Sequence, residues 1–384
     1  MSGGVDSSVA AVLLTEAGHE VVGCFMRLGS PGETLDAPLS VTACAAKPAR
    51  IGHQGCCSIN DSEDARLVAA QLNIPFYVVN FKKDFGRIIE YFAQEYEEGR
   101  TPNPCVRCND WLKFGRLREY AAQLGCEAVA TGHYAQVARH AGSPARLSRG
   151  VDRAKDQSYV LFGIGADAVE KMLLPIGGME KSQVRAIAQS HGLRVFDKPD
   201  SQEICFVPED YASFLEGRRS APFADGEIVN TAGETVGRHA GHQRFTIGQR
   251  RGLHVPTTSA VSIPLYVIDK DATRNTVTVG PREALEVQAV LATDCVWYAK
   301  PSTEWVSVGA QVRAHGRAIP ASMRATQDGR MDVRFLESEA GVAPGQAVVC
   351  YATDAGGAET IVAGGWIQST TRATEARENT AKTV

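Results

Sequence analysis

Met1-Ser2-Gly3-Gly4-Val5-Asp6-Ser7-Ser8 opens the chain, and the reading of this stretch decides the fold. Two glycines run into a periodic apolar pattern that predicts a helix from Asp6 to about Ala17. Gly3 and Gly4 permit φ > 0 and let backbone N–H groups approach an oxyanion with no Cβ in the way. The helix adds its unsatisfied N-terminal N–H groups and the positive end of its dipole. Ser7 and Ser8 offer hydroxyl donors, and Asp6 is placed to hold a metal ion or position a water. No Gly-Lys-Ser/Thr follows, so this is not a Walker A loop. The plain alternative is a Ser/Asp-capped first helix preceded by flexible glycines. A phosphate loop normally follows a buried parallel strand, so the expectation is that about 5 to 10 further apolar residues precede Met1 in the native chain.

Outward from this loop, strands and helices alternate. Glu20 to Met26 reads as a buried strand, Phe76 to Val79 and Ala128 to Thr131 as strands, and Asp61 to Leu72 and Phe85 to Glu98 as helices. Alternation of this kind predicts an α/β fold with a doubly wound parallel sheet. Ligands of such sheets sit at strand carboxyl ends, which would gather the first loop, Met26 and Gly132-His133. Between Leu28 and Gly55 no period is visible, which predicts a mobile loop. After Cys205 the pattern changes to short runs rich in Val, Ile, Thr and Tyr between glycine turns, predicting small β-barrels. The expected divisions are 1–205, 206–282 and 283–370, with a polar, disordered tail over 371–384.

Length and composition bound the rest. A chain of 384 residues holds about two or three domains. A net charge of −4 gives no global attraction to nucleic acid, so RNA binding has to come from local basic patches. No apolar run approaches the ~20 residues that span a bilayer, and no charged-then-apolar leader is present, so a cytoplasmic protein with no membrane partner is expected. Ten cysteines scattered through the chain do not form a disulfide framework and point to metal, persulfide or redox chemistry.

Thr101-Pro102-Asn103-Pro104-Cys105-Val106-Arg107-Cys108-Asn109 presents a cysteine pair on a proline-stiffened loop or helix start. Zinc deaminases share Pro-Cys-x-x-Cys but need an upstream His-x-Glu, which is absent before residue 104. A thioredoxin-type pair would need a different order of elements. A structural pair and a sulfur-carrying thiolate remain. A third cysteine, Cys205, follows the charged turn Asp197-Lys198-Pro199-Asp200-Ser201, where Lys198 is placed to stabilise a thiolate; alternatively Cys205 is the first core residue after a loop. His53-x-x-Cys56-Cys57 is a weaker metal candidate, more in keeping with a loop-to-helix junction. His242, Arg244, Arg250 and Arg251 crowd around Phe245, which reads either as charge beside a stacking ring for RNA or as a solvated face.

The first loop, Ala130 to Ala135, Lys155 to Tyr159, Asp197 to Phe206 and Phe245 to Leu253 resemble, in this order, the motifs of the bacterial tRNA-specific 2-thiouridylases. These are ATP pyrophosphatase-loop enzymes, and the likeness spans roughly residues 1 to 367. It implies ATP-dependent sulfur transfer to the wobble uridine of tRNAs for Lys, Glu and Gln, yielding 2-thiouridine, AMP and pyrophosphate. By this resemblance Met1, Ser2, Gly3, Gly4, Val5, Asp6, Ser7, Met26 and Gly132 bind ATP with Mg2+. Cys205 accepts a persulfide from a cysteine desulfurase or sulfur-relay protein, and Cys108 is the second catalytic thiol, closing a Cys108–Cys205 disulfide as sulfur leaves. Asn103, Pro104 and Cys105 face the target base, and His133, Lys155, Asp156, Gln157 and Gln346 contact tRNA; Arg250 and Arg251 join the expected tRNA contacts from their basic cluster. The sequence departs from the family at Cys105, where many members have Asp, and at Arg313-Ala314, where many have Arg-Tyr. The first departure opens an alternative in which Cys105, Cys108 and Cys205 hold a [4Fe–4S] cluster. Another pyrophosphatase-loop ligase would leave the cysteines unexplained, and an RNA-binding β-protein would leave the first loop unexplained.

Overall fold

A computed structural model describes residues 1–29, 59–140, 143–200, 204–207, 210–255, 264–354 and 356–373. Helix α1 (Val5–Glu16) starts one residue before its expected position and is apolar almost all round. It is accordingly buried against Val184, Ala188, Leu193 and Val195. Strand β1 (Gly23–Arg27) pairs in parallel with β2 (Phe76–Asn80), with α2 (Ile59–Gln71) between them in the chain. Helix α3 (Lys82–Glu97) buries Phe85, Ile88, Phe92 and Tyr96, spaced three or four residues apart on one stripe.

The Pro-rich segment then enters a continuous helix in three parts: α4 (Pro104–Arg107), a π-helical stretch (Cys108–Arg116) and α5 (Leu117–Gln123). Asn103 caps it by accepting a hydrogen bond from the Val106 N–H, and Pro104 takes the first helical turn, where no N–H donor is needed. Strand β3 (Val129–Ala130) is followed by a hairpin, β4 (Ala135–His140) and β5 (Ser143–Arg149). After α6 (Ala166–Glu170), β6 (Met172–Leu173) returns to pair in parallel with β3, and α7 (Lys181–Ser190) packs on α1. The α/β unit therefore has parallel strands, as expected, arranged as two short pairs, β1–β2 and β3–β6.

A short helix, α8 (Tyr211–Glu216), leads to a four-stranded sheet of β7 (Gly226–Val229), β8 (Thr235–His239), β9 (Tyr266–Asp271) and β10 (Thr276–Gly280), in the order β8-β7-β10-β9. Six further strands follow: β11 (Glu286–Trp297), β12 (Val306–Gln311), β13 (Ile319–Ala325), β14 (Met331–Ala340), β15 (Ala347–Thr353) and β16 (Glu359–Arg372). They run β11-β14-β13-β12-β15-β16, and a β11–β16 pairing closes the barrel. Closure leaves no free edge in the ring. Strand β16 continues through Thr371 and Arg372, which the sequence assigns to the tail; residues 374–384 lie outside the described residues, as does most of the loop expected over Leu28 to Gly55.

The barrel is docked on the α/β unit. Ser148 of β5 pairs with Thr360 of β16, so the β4–β5 hairpin extends the barrel sheet. A Cβ on Gly364 would lie 2.4 Å from the Phe162 ring, and Trp366 packs against Phe162 and Tyr91. The buried Tyr159 hydroxyl donates to the Ala347 carbonyl at 3.0 Å. Among the described residues no helix is long and apolar enough to cross a membrane.

Candidate active site

The glycine loop is held closed by its own serines. The Ser2 N–H donates to Ser7 Oγ at 3.0 Å, the two hydroxyls lie 3.1 Å apart, and Ser7 and Ser8 hydroxyls donate back to the Gly4 carbonyl at 3.2 and 2.9 Å. Gly3 has φ of +72°, and a Cβ there would stand 2.2 Å from the Asp61 carbonyl oxygen, so only glycine fits. Gly4 caps α1 in an extended conformation with no side-chain bond, leaving the first-turn N–H groups of the helix directed at the loop. Val5 is buried in the α1–α7 core, and Met1 packs at its edge.

Gly132 meets this loop. A Cβ on Gly132 would lie 2.6 Å from the Asp6 carbonyl carbon and 2.7 Å from the Ser7 nitrogen, so the end of β3 rests directly on the first turn of α1. His133 is buried behind it, with Nδ1 2.8 Å from Thr131 Oγ1 and Nε2 3.4 Å from Lys113 Nζ. An ammonium only donates, so Nε2 is the acceptor and Nδ1 carries the proton. Burial, with Lys113 adding to it, pushes the imidazole well below its ordinary value, which keeps it neutral.

The charged groups around the loop were not legible in the sequence. Lys181 Nζ reaches both Asp6 oxygens at 2.7 and 2.9 Å, and the Tyr134 hydroxyl donates to the same carboxylate at 2.8 Å. Lys198 Nζ donates to the Gly3 carbonyl at 2.9 Å and to Asp61 and Asp64 at 2.7 Å each. Burial pulls the Lys198 ammonium down, but the two carboxylates outweigh it and hold the group above its ordinary value. The expectation that Lys198 serves the Cys205 thiolate is therefore corrected: its donors are spent on fastening the glycine loop to α2.

Cys108 and Cys205 belong to a different apolar cluster from Met1 and Val5 of the loop. Cys108 begins the π-helical stretch, a rare geometry that recurs at functional sites. Cys108, Cys205 and Met26 are all half-buried against one apolar cluster built on Phe85, Phe92, Leu112 and Phe206. Cys205 therefore fits the reading of a core residue after a loop, and it packs against the same cluster as Cys108. Cys105 is exposed. Among the described residues no group of three or more His, Cys, Asp or Glu side chains is placed to share a metal ion. His53, Cys56 and Cys57 lie outside the described residues.

The residues expected to face tRNA divide into three sets. Asn103 and Gln346 meet at the α4 entrance: Asn103 Nδ2 is 3.5 Å from Gln346 Oε1, whose amide donates to the Thr101 and Pro102 carbonyls at 3.1 Å each. Arg107, which the sequence did not flag, fixes α4 from the barrel side, its guanidinium 4.2 Å above Trp366 and 4.9 Å above Trp111. Asp156 is committed inward, pairing with Arg149 at 2.9 Å and accepting from Gly150, Ser158 N–H and the Ser158 hydroxyl. Gln157 accepts from the Tyr134 N–H at 3.1 Å and so braces the Gly132-His133 turn. Pro104 is buried, whereas Lys155 stays half-exposed, 2.7 Å from Asp200. Arg250 and Arg251 are exposed on a turn of the central domain. Phe245 and His242 beside them are buried, His242 between Asn275 and the Glu97 carbonyl, and Arg244 pairs with Glu216. The proposed stacking ring is thus a core residue, and the basic feature reduces to Arg250 and Arg251.

Residues 1–209 match the family described as tRNA methyl transferase HUP domain, 213–281 the tRNA methyl transferase PRC-barrel domain, and 287–367 the aminomethyltransferase beta-barrel domain. A tRNA-specific 2-thiouridylase of Geotalea uraniireducens is 45% identical over 377 residues, covering 96% of this chain and 93% of the relative. Those of Geobacter metallireducens and Rhodopirellula baltica are each 44% identical, covering 96% of this chain and 95% and 94% of the relatives. A closed glycine loop under Gly132, two cysteines on one apolar cluster and an α/β, PRC-barrel, β-barrel order agree with these likenesses, and the chain belongs to the tRNA-specific 2-thiouridylase family.

Proposed function

We propose that this protein is a tRNA-uridine 2-sulfurtransferase that acts in the cytoplasm on the wobble uridine of tRNAs for Lys, Glu and Gln. The reading is carried by one observation: Met26, which the resemblance assigns to the nucleotide, and the thiols Cys108 and Cys205 share a single apolar cluster. Adenylation and sulfur transfer have to meet at one carbonyl, and such a cluster is where water is excluded from both.

The chemistry follows from the weakness of the leaving group. The uridine C2 oxygen attacks the ATP α-phosphorus and pyrophosphate leaves, converting that oxygen into part of a good leaving group. The glycine loop and first turn of α1 supply backbone donors for the phosphates. Magnesium in such sites is held by one or two carboxylates and by phosphate oxygens, and Asp6 fits the carboxylate role. The terminal sulfur of a Cys205 persulfide, received from a cysteine desulfurase or relay protein, then attacks C2, and AMP departs with the former uridine oxygen. Attack of the Cys108 thiolate on Cys205 Sγ breaks the sulfur–sulfur bond, leaves sulfur on the base and closes a Cys108–Cys205 disulfide. An external thiol reductant reopens it for the next turnover. Presenting the base requires it to leave the anticodon stack, which costs a few kcal/mol; Asn103, held by Gln346 at the α4 entrance, is assigned to face it, and Lys155 to contact the surrounding tRNA.

Two expected outcomes arise here. Gly132→Ala forces a methyl group against the backbone of Asp6 and Ser7, neither of which can yield as a side chain would. ATP affinity measured by calorimetry should fall at least about tenfold, while tRNA affinity holds. The double substitution of Arg250 and Arg251 by alanine should weaken tRNA binding across all sequences and lower the salt-dependence slope by about 2. A slope unchanged from wild type would remove these arginines from the RNA interface.

A further inference from the structure

A ladder of ion pairs runs from the half-exposed Lys155 to the glycine loop. Lys155 Nζ lies 2.7 Å from Asp200 Oδ2, while Asp200 Oδ1 lies 2.8 Å from Lys181 Nζ and 3.2 Å from an Arg185 nitrogen. Lys181 continues to Asp6 at 2.7 Å. Lys181 is 12% exposed and Asp200 22%, and the two ends are more open, Asp6 at 30% and Lys155 at 37%. Lys181 and Arg185 stand four residues apart on α7, hence on one face, and α7 is fixed against α1 by Val184 and Ala188. The centre of the ladder is therefore rigid and its outer end accessible. A phosphate that reaches Lys155 competes with Asp200 for that ammonium. Asp200 then falls back on the α7 cations, and Lys181 shifts its hold from Asp6 towards Asp200.

We propose that Asp200 is a positioning residue joining Lys155 to the glycine loop, so that an RNA phosphate on Lys155 raises the affinity of the loop for nucleotide by releasing Asp6 from Lys181. This rests on the reading of Lys155 as a tRNA contact and of the loop as the nucleotide site. Burial pushes the Asp200 carboxyl up, but its bonds from Lys155 and Lys181 outweigh that and hold it below the usual carboxylate range. The group stays anionic through neutral pH, and the link is carried by charge.

The test is a thermodynamic cycle. The affinity of a non-hydrolysable ATP analogue is measured with and without saturating unmodified tRNA, and the affinity of tRNA with and without the analogue. In wild type the two ratios should agree, as linkage requires, at about fivefold or more. In Asp200→Asn and in Lys155→Met the ratio should fall to about one, and Asp200→Glu should restore it. A role for Asp200 in folding alone would weaken both ligands and leave the ratio as in wild type, which overturns the proposal. If Asp200→Asn fails to fold, Lys155→Met decides, and a wild-type ratio there overturns it. A wild-type ratio of one with both ligands bound overturns the coupling and leaves the sulfurtransferase reading standing. Failure to bind tRNA or the analogue at all overturns both.

Discussion

Cys205→Ser is expected to lower 2-thiouridine formation by at least about a thousandfold, the scale seen when a nucleophile is removed, while tRNA-dependent pyrophosphate release continues. Serine cannot accept sulfur, whereas the glycine loop is fastened by its own contacts to Asp61, Gly132 and Lys198. Cys108→Ser should stop at a different point, accumulating a persulfide on Cys205 that mass spectrometry detects as one added sulfur. Cys105→Ser should keep partial activity, since that exposed thiol has no required step. The iron–sulfur alternative makes the opposite forecast: all three substitutions fail alike, and activity tracks iron content in anaerobic preparations. Iron-dependent activity lost in Cys105→Ser would overturn the persulfide route.

Asp6→Ala should reduce pyrophosphate release at least about a hundredfold with tRNA binding nearly intact. In the proposed reading the carboxylate serves the triphosphate end of the site; its partners are Tyr134 and Lys181, neither assigned to the RNA. Its removal also strips Lys181, which is 12% exposed, of one of its two carboxylate partners, so some loss of stability accompanies the loss of function. Asp6→Asn separates the effects, because it retains an acceptor for Tyr134 and Lys181 while removing the charge. Full activity in Asp6→Asn would show that the negative charge has no part in the reaction.

What the sequence disclosed, and what it hid, follows from the range of the forces involved. The helix over Lys82–Glu97 was readable from its apolar period, and the helix over Val5–Glu16 and the strand at Phe76–Asn80 from their local apolar runs. The glycine loop and the Asn103-Pro104 helix start were readable because their backbone demands are local. The β4–β5 hairpin was missed. Its strand β5 buries consecutive residues, Leu147, Ser148 and Arg149, with Thr360 and Tyr351 of the barrel against Ser148 and Arg149, and a strand buried on both sides loses the alternation that announces it. Lys181, Lys198 and Arg107 were missed or misassigned because their partners stand 175, 137 and 259 residues away in the chain, at Asp6, Asp61 and Trp366. Phe245 was misread for the same reason, since His239 and the central-domain core, rather than solvent, surround its ring.

The most direct test follows both halves of the reaction in one vessel: unmodified tRNA, ATP and purified protein charged with persulfide on Cys205, in a single turnover. Pyrophosphate and 2-thiouridine are measured together, with tRNA whose wobble uridine is replaced by cytidine as the control. The account predicts one pyrophosphate per 2-thiouridine, both absent with the control tRNA, and a Cys108–Cys205 disulfide at the end. Pyrophosphate release that ignores the wobble base, or 2-thiouridine formed without ATP, would contradict it.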